Sequence, residues 1–529
     1  MRGKLVAVVV LVTALAGGGG ADPVTRQAAE VAPGESHGFP LAVAPGSYVT
    51  GRLISPGHPF DLDLVTAGGA PVRHLLSDSA GAAAFHLVTE GAGLMLRARN
   101  VGTTGAASVL NLDRVVPPEA LGVRPAKLVS PTMAALADHL ATGGDTEAFW
   151  AVRAAEGTPM IEPSDQPGEV IATFLWRGAR HNARLWGGPA VDHLWMERLG
   201  QSDVWFTTLR VPLDARVSYG VAPDVPQFDG PDRANRVALL ATLQADPLNR
   251  HPIFAEAPDP WAQRSQLVLP GAPEQPGMTG PIPQRRGEVA RLSISSDRLG
   301  RDRRIDVYRP AGFDPAAPDT LLLILFDGPA YQRDLAPVPL ILDRLIAAGR
   351  LPPVVALLID PIDNDQRGRD LTCNPDFTDA LADELVPQIA ARLGLVPDRA
   401  RTVIAGSSYG GLASAFAVRR RPEVFGNAVV LSGSFWWVPE GEEGQGMPYM
   451  SSLWAEGPLP DVRLWMSAGT YEAGREPGAV SILETTRHLR DVLRIRGADV
   501  TYRQYSGGHD YLVWRGALAE GLLHLFGRE

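Results

Sequence analysis

Cysteine is almost missing from this 529-residue chain, where Cys373 stands alone. A single thiol excludes an internal disulfide, a Cys-rich zinc site and an iron–sulfur cluster. Lysine is nearly missing too, at Lys4 and Lys127 only, so almost all of the 49 basic residues are arginine. A compositional bias of the genome accounts for that excess, which by itself marks no anion site. Positive charge is not in surplus. The formal net charge of −10 argues against a nucleic-acid binder. Beyond the N-terminus no run approaches the ~18 apolar residues of a membrane span, so no stable membrane insertion is expected of the mature chain.

What is present is globular material. Hydrophobic residues at 45% and charged residues at 20% exclude a disordered chain. The length calls for about three or four domains. Glycine and proline are frequent, 56 and 46, but aperiodic, which means turns and linkers rather than collagen. Arg2 and Lys4 precede an apolar stretch from Leu5 to Ala16, and small residues follow up to Ala21-Asp22-Pro23. This is the pattern of a secretory signal peptide over 1–21, with cleavage after Ala16 or Ala21. The expected location is periplasmic or secreted.

Residues 30–115 hold short alternating runs such as Tyr48-Val49-Thr50-Gly51-Arg52-Leu53, broken by turn residues. They predict an accessory β-sandwich. Ser130-Pro131 followed by Met133, Leu136 and Leu140 predicts a helix over 130–142. Strands at 170–177, 203–209 and 216–221 predict an immunoglobulin-like sandwich over 147–250, and the Pro-dense segment 252–286 a linker. From 287 to 529 the pattern is α/β. Continuous apolar runs such as 321–326 and 354–359 alternate with helices at 337–348, 376–393, 409–420, 480–496 and 516–526. That alternation predicts a mostly parallel sheet covered on both faces, an α/β-hydrolase preceded by two β-sandwich domains.

The chemistry centres on Gly406-Ser407-Ser408-Tyr409-Gly410, a G-x-S-x-G sequence between an apolar strand and a helix of small residues. That is the context of a nucleophile elbow, with Ser408 as nucleophile. His488 and His524 sit in predicted helices and read as structural. His509, in the loop after a late strand, is placed to act as base. The acid is expected after strand 464–467, where Glu472 and Glu476 both qualify; Asp510 reads as the cap of the following helix. The oxyanion hole needs two backbone N–H groups. One is expected from Tyr409. The other should come from Gly328, Ala330 or Tyr331 after strand 321–326, since Pro329 has no N–H.

Several joined motifs resemble the ferric enterobactin (enterochelin) esterases, within the esterase-D group of α/β-hydrolases. They are Leu325-Phe326-Asp327-Gly328, Leu358-Ile359-Asp360-Pro361, Arg367-Gly368-Arg369-Asp370-Leu371-Thr372-Cys373-Asn374-Pro375, Ser432-Gly433-Ser434-Phe435-Trp436-Trp437, Arg475-Glu476-Pro477 and Gly507-Gly508-His509-Asp510. Residues 147–250, with Phe174-Leu175-Trp176-Arg177-Gly178, are similar to that family's N-terminal sandwich. The resemblance implies Ser408 and His509 in catalysis and favours Glu476 over Glu472, which remains the alternative. It implies a small-molecule substrate, a cyclic triester bearing catechol amides, with ferric iron arriving as cargo and no cofactor or metal of the enzyme's own. An anionic aromatic substrate calls for guanidinium and aromatic groups. Arg367, Arg369, Asn374, Trp436, Trp437, Arg475, Trp514 and Arg515 are the candidates. The leader and the 30–115 domain, which is similar to the pre-peptidase-type sandwiches of secreted hydrolases, depart from the family pattern. An exported esterase or acyltransferase on a feruloyl, peptidyl or mycolyl ester is the alternative activity, and a non-catalytic siderophore-binding protein is the alternative of another class.

Overall fold

The structure is a computed structural model that describes residues 25–89, 91–117, 128–228, 231–254, 256–441, 446–474 and 480–528. The expected leader at 1–21 lies outside them. The chain divides into two compact units, with the boundary between residues 127 and 128.

In the first unit six strands form one antiparallel sheet. The strand Tyr48–Thr66 carries the design. Its first part pairs with Ala106–Val116 and its second part with Leu94–Asn100. Pro56-Gly57 interrupts it, with Gly57 at φ 73° and a shift of register between Ser55 and Phe60. Only a residue without Cβ takes that backbone conformation freely. The sheet therefore folds over a single core that includes Phe39, Leu53, Phe60, Leu62, Leu96 and Leu110.

The second unit begins with the helix Pro131–Ala141, whose N-cap Ser130 accepts from the Met133 N–H. Two four-stranded sheets follow. One contains Glu169–Arg177 and Val204–Pro212, the other Ala183–Gly187 and Arg216–Pro223. The expected linker at 252–286 is a correction. Its residues Ser265–Val268 are a strand paired with Arg216–Pro223, and Gln275 is buried against the last helix, donating to the Leu512 carbonyl. Proline density marked irregular backbone here, but Ser265 and Leu267 face the core, so four residues suffice to close the sheet.

The C-terminal part of this unit is built on an eight-stranded sheet. Its strands are β1 Glu288–Ser296, β2 Arg301–Arg309, β3 Leu321–Leu325, β4 Val354–Ile359, β5 Thr402–Ser407, β6 Asn427–Leu431, β7 Arg463–Gly469 and β8 Asp499–Tyr505, in the order β1-β2-β4-β3-β5-β6-β7-β8. From β4 to β8 every pairing is parallel. Neighbouring residues in a strand face opposite sides. Ile324, Ile404 and Val430 enter one core, and Leu323, Val403 and Val429 the other. Both faces are covered, which is why these strands are apolar throughout. The helices are α1 Val338–Ala347, α2 Asn364–Leu371, α3 Pro375–Ala380, α4 Val386–Leu393, α5 Tyr409–Arg420, α6 Tyr449–Ala455, α7 Ile482–Arg496 and α8 Tyr511–Phe526. The single helix expected over 376–393 is interrupted by a π turn at Leu381–Leu385, just before Pro387, which has no N–H to give to the preceding turn. The last helix starts at Tyr511 rather than 516, because Asp510 caps it by accepting from the Leu512 N–H.

One buried ion pair holds α2 to the sheet. Arg303 of β2, 1% exposed, meets Asp370, 4% exposed. Removing one partner leaves an uncompensated buried charge. Arg303→Met is expected to cost about 3–5 kcal/mol, read as a lower midpoint in urea or thermal unfolding.

Candidate active site

β5 ends at Ser407 and α5 begins at Tyr409, so Ser408 occupies the whole turn between them. Its φ of 60° and ψ of −121° are strained for a residue with a Cβ. The motif glycines make room for the turn. A Cβ on Gly406 would lie 2.7 Å from the Gly410 carbonyl carbon, and one on Gly411 2.9 Å from Gly433 Cα. The Ser408 N–H donates to the Leu431 carbonyl at 2.9 Å, and the Ser434 N–H donates to the Ser408 carbonyl at 3.0 Å. The Ser408 hydroxyl pairs with the Ser434 hydroxyl at 3.2 Å.

The strand ends place the other groups. β7 delivers Thr470–Glu472 as one tight turn. β8 leads into Gly507-Gly508-His509. The His509 Nδ1 lies 2.5 Å from Glu472 Oε1. The second oxygen, Oε2, accepts from the Gly469 N–H at 2.5 Å and from the Ser432 hydroxyl at 2.8 Å. The Glu472 side chain is 1% exposed and that of His509 39%. A buried carboxylate that takes three donors is held in one orientation, and the imidazole it faces keeps its Nδ1 proton and leaves Nε2 to accept. Of the two carboxylates open in the sequence, Glu472 meets His509. Glu476 and Arg475 lie outside the described residues.

A cavity of about 380 Å³ opens beside this pair. Val191, Trp436, Tyr471, Ile482 and His509 line it, so the β-sandwich supplies part of one wall through Val191. Trp436 is half-exposed, with its ring 6.0 Å from that of Tyr409, which links the cavity to the elbow.

The other candidate binding residues are placed differently. Arg367 is bidentate to the buried Asp327, at 2.6 and 2.8 Å, with its guanidinium 5.6 Å from the Tyr409 ring. Burial works against its charge, but Asp327 outweighs that and raises its pKa. Arg369 donates to Gln366, and Asn374 caps α3. Trp437 packs edge-on against Tyr449. Trp514 is buried behind His509 and donates to Ser432, and it does not itself line the cavity. Arg515 donates to Gln275 and to the Leu335 carbonyl; burial, with Arg216 adding to it, pushes its pKa down to about 10. Of the seven that are described, Trp436 is the one that lines the cavity. His488 bonds Ser451 and His524 bonds Thr501, both away from Ser408. Cys373 is buried, and burial pushes its thiol up.

Among the oxyanion candidates, Gly328 donates to the Ile359 carbonyl and Ala330 to the Asp327 carbonyl, each at 2.9 Å. Tyr331 donates to the same Asp327 carbonyl at 3.4 Å. The Tyr409 N–H, at the start of α5, has no backbone acceptor among the described residues. Sequence reasoning assigned no role to Asp327, Ser432 or Ser434. They sit inside quoted motifs, yet only their contacts across the sheet reveal what they hold.

Residues 296–525 match the family model of the putative esterases, and 171–278 match that of the enterochelin esterase N-terminal domain. An iron(III) enterobactin esterase of Dickeya dadantii is 33% identical over 410 residues, covering 71% of this chain and 92% of that protein. The chain belongs to the enterobactin esterase family. An iron(III) salmochelin esterase of Escherichia coli is 30% identical over 413 residues, covering 74% of this chain and 96% of that one. Among solved structures, the enterobactin esterase of Shigella flexneri, in the presence of enterobactin, superposes with a TM-score of 0.57 at 28% identity, over 72% of this chain and 97% of that one. Membership makes the chain a carboxylic ester hydrolase with the α/β-hydrolase fold read from its sequence.

Proposed function

We propose that this enzyme is an exported serine esterase that hydrolyses the ester bonds of catecholate siderophores of the enterobactin type and so weakens their hold on ferric iron. The observation that carries this reading is the Glu472–His509 pair in an aromatic-lined cavity beside the Ser408 elbow, in a chain that matches enterobactin esterases over nearly their full length. In the resting arrangement Ser408 rests on Ser434. A rotation of its side chain turns the hydroxyl to the free Nε2 of His509. The imidazole takes the proton as Ser408 Oγ attacks the ester carbonyl, and Glu472 stabilises the imidazolium. The Tyr409 N–H at the helix terminus receives the oxyanion. Tyr331, whose present bond is the longest of the three candidates, is the second donor that costs least to redirect. His509 then protonates the leaving alkoxide, and an acyl-enzyme on Ser408 remains. Water, deprotonated by the same imidazole, attacks that acyl group and releases the acid and free Ser408. No cofactor or metal of the enzyme is called on; iron enters only with the substrate.

The test is incubation with ferric enterobactin followed by chromatography. Linear trimer, dimer or monomer is the expected result. Cleavage of simple aryl or feruloyl esters with no siderophore product overturns the substrate assignment. The Trp436 ring should stack on a catechol, so Trp436→Ala is expected to raise KM for the siderophore about three- to tenfold while leaving a small acetate ester unaffected. Export rests on residues 2–21. No helix among the described residues is long and apolar enough to cross a membrane. N-terminal sequencing of the secreted or periplasmic form should begin after Ala16 or Ala21; an intact Met1 in the cytoplasmic fraction overturns it.

A further inference from the structure

Ser432 and Trp514 have no place in the reaction as derived, yet they form a directed chain of hydrogen bonds ending on the acid. The Trp514 indole Nε1–H donates to Ser432 Oγ at 2.9 Å, and Ser432 Oγ lies 2.8 Å from Glu472 Oε2. Both bonds are buried. An indole nitrogen only donates. It therefore occupies a lone pair of the hydroxyl and leaves the Ser432 proton to point at the carboxylate. The backbone supports the same reading. Ser432 has φ 48°, in the left-handed region where glycine would sit without strain, and its N–H is tied to the Ser467 carbonyl at 2.8 Å across the ends of β6 and β7. Glycine has no hydroxyl, so the strain is kept together with the donor. Trp514 also meets the base, with its ring edge-on to that of His509 at 4.7 Å and 89°.

We infer that Ser432 and Trp514 are positioning residues acting in series. Trp514 sets the direction of the Ser432 hydroxyl, and Ser432 locks Glu472 Oε2 so that Oε1 faces His509 Nδ1. The inference rests on Glu472 acting as the acid. Donation from Ser432 draws charge from the carboxylate. Without it, more negative charge faces the imidazole and the imidazolium is favoured.

Among the described residues, Glu472 contacts His509 and Tyr471 lines the same cavity, both from the turn after β7, while Asp510 and Tyr511 are its chain neighbours at the start of α8; burial pushes both phenols up, well clear of the range in which imidazole titrates. The acid limb of a kcat/KM profile on a small neutral ester therefore reports His509.

The experiment compares Trp514→Phe, which keeps a ring against His509, with Ser432→Ala and the double variant, and runs Glu472→Gln beside them. Ser432→Ala is expected to lower kcat about tenfold, leave KM unchanged and move the acid limb up by about half a pH unit. Trp514→Phe should give a smaller change of the same sign. Two residues in series give a double variant no worse than Ser432→Ala alone. Additive losses, or an acid limb that stays in place in both single variants, overturn the inference while Glu472→Gln remains inactive. If Glu472→Gln itself keeps full turnover, the assignment of the acid fails instead. A variant that unfolds is identified by its melting temperature, and the other single variant then decides by its acid limb.

Discussion

Ser408→Ala loses turnover by a factor on the order of 10³ or more, with KM nearly unchanged. The loss is that large because every covalent step passes through Oγ; what remains is binding and the oxyanion donor. Folding should be almost untouched. Alanine carries the same Cβ into the strained turn at φ 60°, and the one side-chain bond lost is that to Ser434 at 3.2 Å. Single-turnover assays on a siderophore and on a neutral aryl ester, with a melting curve, check both halves. Retained esterase activity in a well-folded Ser408→Ala protein removes the elbow from the mechanism.

Glu472→Gln is the second large effect, and the geometry gives its cause. Oε2 accepts from the Gly469 N–H and the Ser432 hydroxyl, so both partners require an oxygen there. The amide oxygen of glutamine takes that place, and its NH₂ is forced toward His509 Nδ1. A donor facing Nδ1 turns the imidazole to the tautomer with its proton on Nε2, which can no longer accept from Ser408. A fall in kcat of about 10²–10⁴ follows, as expected for the wrong tautomer. Glu476→Gln should stay within about threefold of the parent, since Glu472 already supplies the carboxylate that faces His509 Nδ1. The same assay on both variants decides. An intact Glu472→Gln beside a crippled Glu476→Gln reverses the assignment.

Much of the fold was legible because its signals are local. β3 and β4 are apolar at every position, which only a strand covered on both faces explains. The elbow was legible for a similar reason, since Gly406 is required by its close approach to the Gly410 backbone within one turn. Misreadings fell where a contact far along the chain overrides local composition. Ser265–Val268 hides in a Pro-rich stretch because its partner, Arg216–Pro223, lies some fifty residues earlier. At Arg367 and Trp514, whose residue types suit a catechol anion, the sequence also leaves the internal partners unseen. Their charge and N–H are satisfied inside the protein, by Asp327 and Ser432.

The sequence by itself determined the family and singled out Ser408 and His509 as the expected nucleophile and base, because a strand–turn–helix glycine pattern and a histidine after a late strand are properties of contiguous residues. Only the tertiary structure brought Glu472 to His509. Glu472 and Glu476, four residues apart, satisfy the same sequence rule, and Glu476 lies outside the described residues. Glu472 reaches its partners because β6, β7 and β8 end side by side, bringing Ser432, Gly469 and His509 around its carboxylate.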